Sequence, residues 1–387
     1  MKRLPKTNVY LKRFIALILA FSLFAAFLTG CTQKPHDTLD IVSADKLRIV
    51  CTIFPLYDWV RQILGDRADS VELSFLLDNR IDLHSFQPSF DDIARISTSD
   101  LFIYVGGESD RWVETALQQA VNHNMVVLRL ISILGDDVKL NEVIEGMESE
   151  NHDEVFELDS GNHNMYSDND KREIEFDEHA KALDKQENYP DEHANGLDKQ
   201  ENYSDEHANE LDEHVWLSLE CAKAFCAVIT NALSTLDADN AETYKENLIA
   251  YTQELATLDE EYQATVNAST TRTLLFADRF PFRYLTDDYG IDCFAAFPGC
   301  SAESEASIET IVFLLAKADE LDLHNVIVTE SSDQSIAITI INNTRDKNQQ
   351  VLVLNSMQSA TLSDAQNGVS YLSIMESNLQ TLKEALK

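Results

Sequence analysis

The stretch "DLHSFQPSFDDIARISTSDLFIYVGG" (Asp82–Gly107) decides how the chain folds. It opens with a polar loop carrying His84. "SFDDIARIS" then reads as a short helix, with Ser89 as its cap and Asp92 three residues on, the spacing of a reciprocal capping box. "DLFIYVGG" (Asp100–Gly107) follows as an apolar, β-branched strand that ends at two glycines. Loop, helix and strand within 26 residues are half of a strand–helix–strand unit.

The same rhythm extends on both sides. Upstream, "KLRIVCTIF" (Lys46–Phe54) is a strand, Pro55 starts the helix "PLYDWVRQILGD", and "VELSFLL" (Val71–Leu77) is a second strand. Downstream, "RWVETALQQAV" is helical and "MVVLRLI" is a fourth strand. Far along the chain the pattern repeats. "RTLLFA" (Arg272–Ala277), "IDCFAAF", "NVIVTE" (Asn325–Glu330) and "QVLVL" read as strands, separated by helices, with a last helix from about Val369. Alternation of this kind predicts parallel sheets with helices on both faces.

Between the two sets lie "LSLECAKAFCAVITNALSTLD", a single helix, and a second helical stretch beginning at Asp239. Leu248, Tyr251, Leu255, Leu258 and Tyr262 recur there every three or four residues, the apolar stripe of one amphipathic helix. Some 28 residues at 1.5 Å each make a rod of about 40 Å, longer than a domain is wide. The expected fold is therefore α/β: two Rossmann-like lobes, each a mainly parallel sheet flanked by helices, joined by a long rigid helix.

Charge sets one region apart. The chain of 387 residues has a formal net charge of −37, which argues against a nucleic-acid partner and favours cations. Residues 136–213 hold 27 acids against 6 Lys and Arg, more than half of that net charge in a fifth of the chain. With few large apolar side chains, such a segment gains too little from burial to offset the entropy of ordering. Within it the triplet Asp-Glu-His is centred on His179, His193 and His207, fourteen residues apart, and again on His214, which runs directly into "VWLSLE". His179, His193 and His207 are expected to form a metal-collecting tether and His214 to belong to the fold, the repeated triplets raising the local cation concentration by multivalency. The expected organisation is a leader over 1–30, a tether over 31–45, an N-terminal lobe over 46–135, the acidic insert over 136–211, the rest of that lobe over 212–238, the joining helix over 239–268 and a C-terminal lobe over 269–387.

The first thirty residues read as a leader. A basic start precedes the apolar run "FIALILAFSLFAAFL" (Phe14–Leu28), too short for a comfortable membrane span. "LTGC" then ends at Cys31, the pattern of a bacterial lipobox, in which the cysteine is lipidated and tethers the protein outside the cytoplasm. Of the other five cysteines, Cys51, Cys221 and Cys226 fall in apolar strand or helix and read as buried thiols. Cys293 and Cys300 flank "FAAFPG" and could pair in an oxidising compartment. No CxxC pair, HExxH or GxSxG signature is present, so neither a zinc knuckle nor a common hydrolase is indicated, and no enzyme is expected.

In open α/β sheets, ligands collect beyond the carboxyl ends of the strands. Four polar residues sit there: His84 after the second strand, His214 at the exit of the insert, Asp278 after "LLFA", and Glu330 at the end of "NVIVTE". Two imidazoles and two carboxylates suit a borderline divalent cation.

"DLHSFQPSFDDIARISTSDLFIYVGG", "DEHVWLSLECAKAFCAVITNALSTLD", "TESSDQSIAITIINNT" and "VLVLNSMQS" together resemble, in order and spacing, the metal-binding lipoproteins that serve ABC importers of zinc and manganese. The resemblance implies two lobes joined by a rigid helix, one metal ion in the cleft, a permease and its ATPase as partners, a lipid anchor on the extracytoplasmic face of the cell membrane, and a monomer. It places His84 and His214 on the first two ligand positions. The third position falls on Arg279, which cannot ligate, with Asp278 beside it. The fourth falls on Asn355, with Glu330 as the alternative carboxylate. Zinc is the expected cargo, with manganese, or a role as a surface adhesin, as alternatives.

Overall fold

A computed structural model describes residues 46–78, 80, 82–141, 144–147, 211–299 and 306–387. Cys31, His179, His193, His207 and Cys300 lie outside the described residues.

The N-terminal lobe is built from β1 (Arg48–Cys51), α1 (Phe54–Leu64), β2 (Glu72–Phe75), α2 (Phe90–Ser97), β3 (Leu101–Tyr104), α3 (Trp112–Gln118), β4 (Val126–Arg129) and α4 (Leu130–Leu134). Its four strands are parallel, in the order β2-β1-β3-β4. Pro55 stands in the first turn of α1, where its missing N–H costs nothing. The capping box expected at α2 is present: the Ser89 hydroxyl accepts from the Asp92 N–H at 3.2 Å, and the Asp92 carboxylate accepts from the Ser89 N–H at 2.8 Å.

Two helices follow, α5 (Leu219–Leu236) and α6 (Ala241–Ala268). The C-terminal lobe then comprises β5 (Thr273–Phe280), α7 (Arg283–Tyr289), β6 (Asp292–Pro298), α8 (Ile308–Glu320), β7 (Asn325–Thr329), α9 (Ser335–Asn343), β8 (Gln350–Leu354), α10 (Leu362–Gln366) and α11 (Tyr371–Ala385). This sheet is also all parallel, in the order β6-β5-β7-β8. Both lobes thus have the same strand order, and in each the chain reverses direction across the sheet beside its first strand, the place where such sheets leave a crevice.

The helix α6 runs 28 residues and buries Tyr244, Tyr251, Leu255, Leu258, Tyr262 and Val266 along one stripe. It packs on α1 and α5 at one end and on α7 and α11 at the other. Polar bonds pin both ends: Asn247 donates to the Ile63 carbonyl at 2.8 Å, and the Tyr262 hydroxyl donates to the Met375 carbonyl at 2.6 Å. Further buried bonds cross directly between the lobes. Tyr371 donates through its N–H to Asp58 at 2.9 Å and through its hydroxyl to the Trp216 carbonyl at 2.8 Å. The Trp216 indole N–H donates to the Ser356 carbonyl at 2.8 Å. One continuous core covers both sides, so the lobes meet across packed, hydrogen-bonded surface rather than at a loose hinge.

Two details differ from the sequence reading. Strand β5 continues through Asp278 and Arg279 to Phe280, and α7 starts correspondingly late, at Arg283. The folded part also extends past residue 135. Leu140 bridges antiparallel to Leu211, Asp212 donates to the Lys139 carbonyl at 2.9 Å, and Met147 is buried in the core. The Leu140–Leu211 bridge forms a paired gate three residues before His214. Cys51 and Cys226 are buried free thiols, as their apolar settings imply, whereas Cys221, expected to be buried as well, is half-buried.

Candidate metal centre

His84 lies in a single 3₁₀ turn, Leu83–Ser85, that links β2 to α2. Asp82 caps this turn: its carboxylate accepts from the His84 N–H at 2.9 Å. His214 arrives from a different direction, at the end of the gate, just before the 3₁₀ turn Val215–Leu217 and α5. Its own N–H is likewise held by Asp212, at 2.9 Å. The two rings, 130 residues apart in sequence, meet edge to face with centroids 5.2 Å apart and Nε2 atoms 3.3 Å apart.

Each ring is fixed from behind. His214 Nδ1 stands 2.8 Å from Asp212 Oδ1, and a carboxylate can only accept, so Nδ1 carries the proton and Nε2 presents a lone pair. His84 Nδ1 is 2.7 Å from the Ser109 hydroxyl and 3.4 Å from Glu213 Oε2. Ser109 passes its own N–H to Glu213 at 2.8 Å. With its proton on Nδ1, His84 donates to the Ser109 hydroxyl and turns Nε2 toward His214. Gly107 makes room for Glu213: its φ of +87° suits glycine, and a Cβ there would overlap the carboxylate. From the other lobe, Gly299 abuts the His214 ring, where a Cβ would come 3.1 Å from Cε1.

Burial is the leading electrostatic fact. His214 is fully buried and the His84 side chain is 10% exposed. Desolvation, followed by repulsion from His214, pushes the His84 imidazole down to about 4, so it stays neutral at ordinary pH. Burial raises the Glu213 carboxyl above its usual range, with Ser109 opposing, and drives Asp110 up to about 7. A neutral imidazole such as His84, with its Nε2 turned to a second ring, is the form that ligates a metal.

Two donors at 2.0–2.1 Å from a tetrahedral zinc ion are separated by about 3.3–3.4 Å. The 3.3 Å between the Nε2 atoms is that separation. Among the described residues no third His, Cys, Asp or Glu converges on the pair. The next polar group is Gln358, from the loop after β8. Asp82, with two accepting oxygens, favours the amide nitrogen on its own side. With the nitrogen toward Asp82 it donates to both carboxylate oxygens at 3.2 Å, and its oxygen then faces His214 Nε2 at 3.4 Å. That oxygen is at donor spacing as well.

Asp278 and Glu330, expected among the donors, are engaged within their own lobe. The Asp278 carboxylate accepts from the Thr329 N–H and hydroxyl at 3.1 and 2.8 Å and from the Arg279 N–H at 2.8 Å. Glu330 accepts from the Ser356 N–H at 2.8 Å and hydroxyl at 3.0 Å, and from Ser359. It thereby anchors the loop that carries Gln358. Asn355 accepts the Met357 N–H at 2.7 Å and exchanges hydrogen bonds with Asn378. Arg279 reaches across the seam and pairs with Asp82 at 3.1 Å. A cavity of about 360 Å³ opens beside this pair, with Asp82, Ser85, Asp278, Arg279 and Asp333 in its walls. Gln358 was missed from sequence because it lies past a turn; its one signal was its position four residues beyond the end of a strand.

Comparison with known proteins agrees with this architecture. The family described as zinc-uptake complex component A, periplasmic, matches residues 49–385. The chain is 27% identical over 371 residues to the zinc-binding lipoprotein AdcA of Streptococcus pneumoniae strain R6, covering 96% of this chain and 60% of that one. It therefore spans about 60% of the length of that relative. It is 24% identical over 366 residues to the high-affinity zinc uptake system protein ZnuA of Bacillus subtilis, covering 95% of this chain and 94% of that one. The crystal structure of the Zn(II)-bound ZnuA-like domain of Streptococcus pneumoniae AdcA superposes with a TM-score of 0.59 at 22% identity, covering 88% of this chain and 99% of that one, and so shares its fold. The chain belongs to the zinc-uptake complex component A family.

Proposed function

We propose that this family member is the extracytoplasmic receptor of a zinc importer, taking one Zn²⁺ between His84 and His214 and delivering it to an ABC permease driven by its ATPase. The observation that carries the proposal is the facing pair of Nε2 atoms at tetrahedral donor spacing, with Ser109 and Asp212 holding the two rings at Nδ1. Gln358 supplies the third donor through its amide oxygen, and Asp278 and Glu330 support the site from its walls. Two imidazoles and one neutral oxygen form a softer set than manganese, with its preference for carboxylate and water, would draw on.

The cation is cargo, so the site has to hold it and release it. Ligands from both lobes surround it, and a permease that shifts the loop carrying Gln358 would separate that donor from His84 and His214. Lipidation at Cys31 would keep the receptor at the membrane, and His179, His193 and His207 would collect zinc near the gate at Leu140 and Leu211. Titration of the mature protein against a zinc chelator tests the proposal. His84→Ala and His214→Ala should each abolish tight binding; tight binding left unchanged in both would refute it.

A further inference from the structure

We infer that Asp82 is the positioning residue of this pocket: its carboxylate, reaching from the N-terminal lobe, sets the Gln358 amide of the C-terminal lobe with oxygen toward the imidazole pair. The inference rests on the reading of the pocket given above. An amide can present either end to a neighbour, and only its oxygen can ligate a cation. Turned the other way, the Gln358 nitrogen would lie against His214 Nε2 and cap its lone pair with a hydrogen bond. Asp82 removes that alternative, because a carboxylate only accepts. It takes the amide N–H groups on both of its oxygens at 3.2 Å, which leaves the oxygen facing His214 at 3.4 Å.

Asp82 has two further contacts with the same consequence. Its Oδ1 caps the turn that carries His84, at 2.9 Å. Its Oδ2 pairs with the Arg279 guanidinium at 3.1 Å. Arg279 lies in the wall of the cavity beside the pocket, so its unneutralised charge would also oppose a metal cation. One carboxylate thus fixes a donor from each lobe and neutralises the cation that sits between them. The lobes are joined at the point where the metal would sit.

The test compares Asp82→Asn, Gln358→Glu and the double variant in the full mature chain. Zinc affinity is measured by chelator competition, and the visible d–d spectrum of bound cobalt(II) is recorded alongside. Asparagine still caps the His84 turn, so the fold is retained, and a thermal melt checks this. It can donate to the Gln358 oxygen and turn the amide round. Asp82→Asn should weaken zinc binding about 10- to 100-fold, the range for loss of an outer partner of a ligand, and should shift the cobalt spectrum. Gln358→Glu carries oxygen on both ends and has no wrong orientation. In its background Asp82→Asn should therefore cost little, and the cobalt spectrum should stay unchanged. An unaltered affinity in Asp82→Asn overturns the inference, as does an equal loss in both backgrounds. If instead His84→Ala and Gln358→Ala bind zinc as tightly as the parent, the pocket itself is refuted, whatever Asp82 does.

Discussion

The Nε2 atoms of His84 and His214 stand 3.3 Å apart, although one ring comes from the β2–α2 turn and the other from the exit of a segment more than sixty residues long. Two ring nitrogens at that distance can bind one cation between them. Loss of either ring should therefore be felt fully. His84→Ala and His214→Ala are each expected to weaken zinc binding on the order of 100-fold or more, beyond the 10- to 100-fold typical of losing an outer partner. Chelator competition at neutral pH reads the change.

The acceptors behind the rings give a graded version of the same effect. Asp212→Ala removes the group that holds both the His214 ring and its backbone N–H. Zinc affinity should fall about 10- to 100-fold. Asp212→Asn can still accept the Nδ1 proton and should fall less. Equal losses in the two would show that charge, rather than orientation, is what Asp212 contributes.

Stability of the metal-free protein should depend on pH through two opposed groups. The His84 imidazole is lowered from 6.5 to about 4. Between those values the unfolded chain takes the proton first, so stability falls as pH drops from 6.5 toward 4, by up to about 3 kcal/mol. Asp110 is raised from 3.8 to about 7, chiefly by burial and then by Glu213, with its Oδ2 bonded to the Gly106 N–H at 2.8 Å. Here the folded state keeps the proton longer, so stability falls as pH rises from 3.8 to 7. Asp110→Asn removes only the second effect. At pH 8 the variant should be more stable than the parent, on the order of 1–3 kcal/mol, and at pH 4 nearly equal to it. Guanidinium denaturation at the two pH values measures this; equal stabilities at pH 8 would show that burial of Asp110 carries no charge penalty.

The bonds that cross the seam should hold the lobes together without setting affinity. Tyr371→Phe deletes the hydroxyl that donates to the Trp216 carbonyl and leaves the ring packed on Trp59 at 5.1 Å. The expected cost is about 1 kcal/mol of unfolding free energy, the net value of one such bond, with zinc affinity changed less than threefold. A large loss of affinity would mean that the seam moves when the metal binds.

The strands, the long helix and the α2 capping box were legible in the sequence because each rests on local rules: apolar runs, a stripe recurring every three or four residues, a cap with its partner three residues on. His84 and His214 were legible for a similar reason, lying beyond strand ends beside recognisable elements. The other candidate donors depend on geometry that no local rule carries. The β5–β6 pairing shifts register between Phe276 and Arg279, so simple alternation along β5 cannot say whether Asp278 or Arg279 faces the seam. In the fold Asp278 turns to Thr329, and Arg279 turns to Asp82. Gln358 follows Met357, whose φ of +67° bends the chain back in a conformation that side chains rarely adopt. Nothing in "NSMQS" announces that bend.

Zinc K-edge X-ray absorption on the mature protein, loaded with one equivalent of metal and lacking residues 148–210, tests the central claim most directly. Two imidazole nitrogens at about 2.0–2.1 Å, completed by oxygen and with no sulfur, are the predicted shell, and both imidazole signals should weaken when His84 and His214 are replaced. A shell of oxygen alone, or one that keeps both imidazoles after those replacements, would contradict the claim.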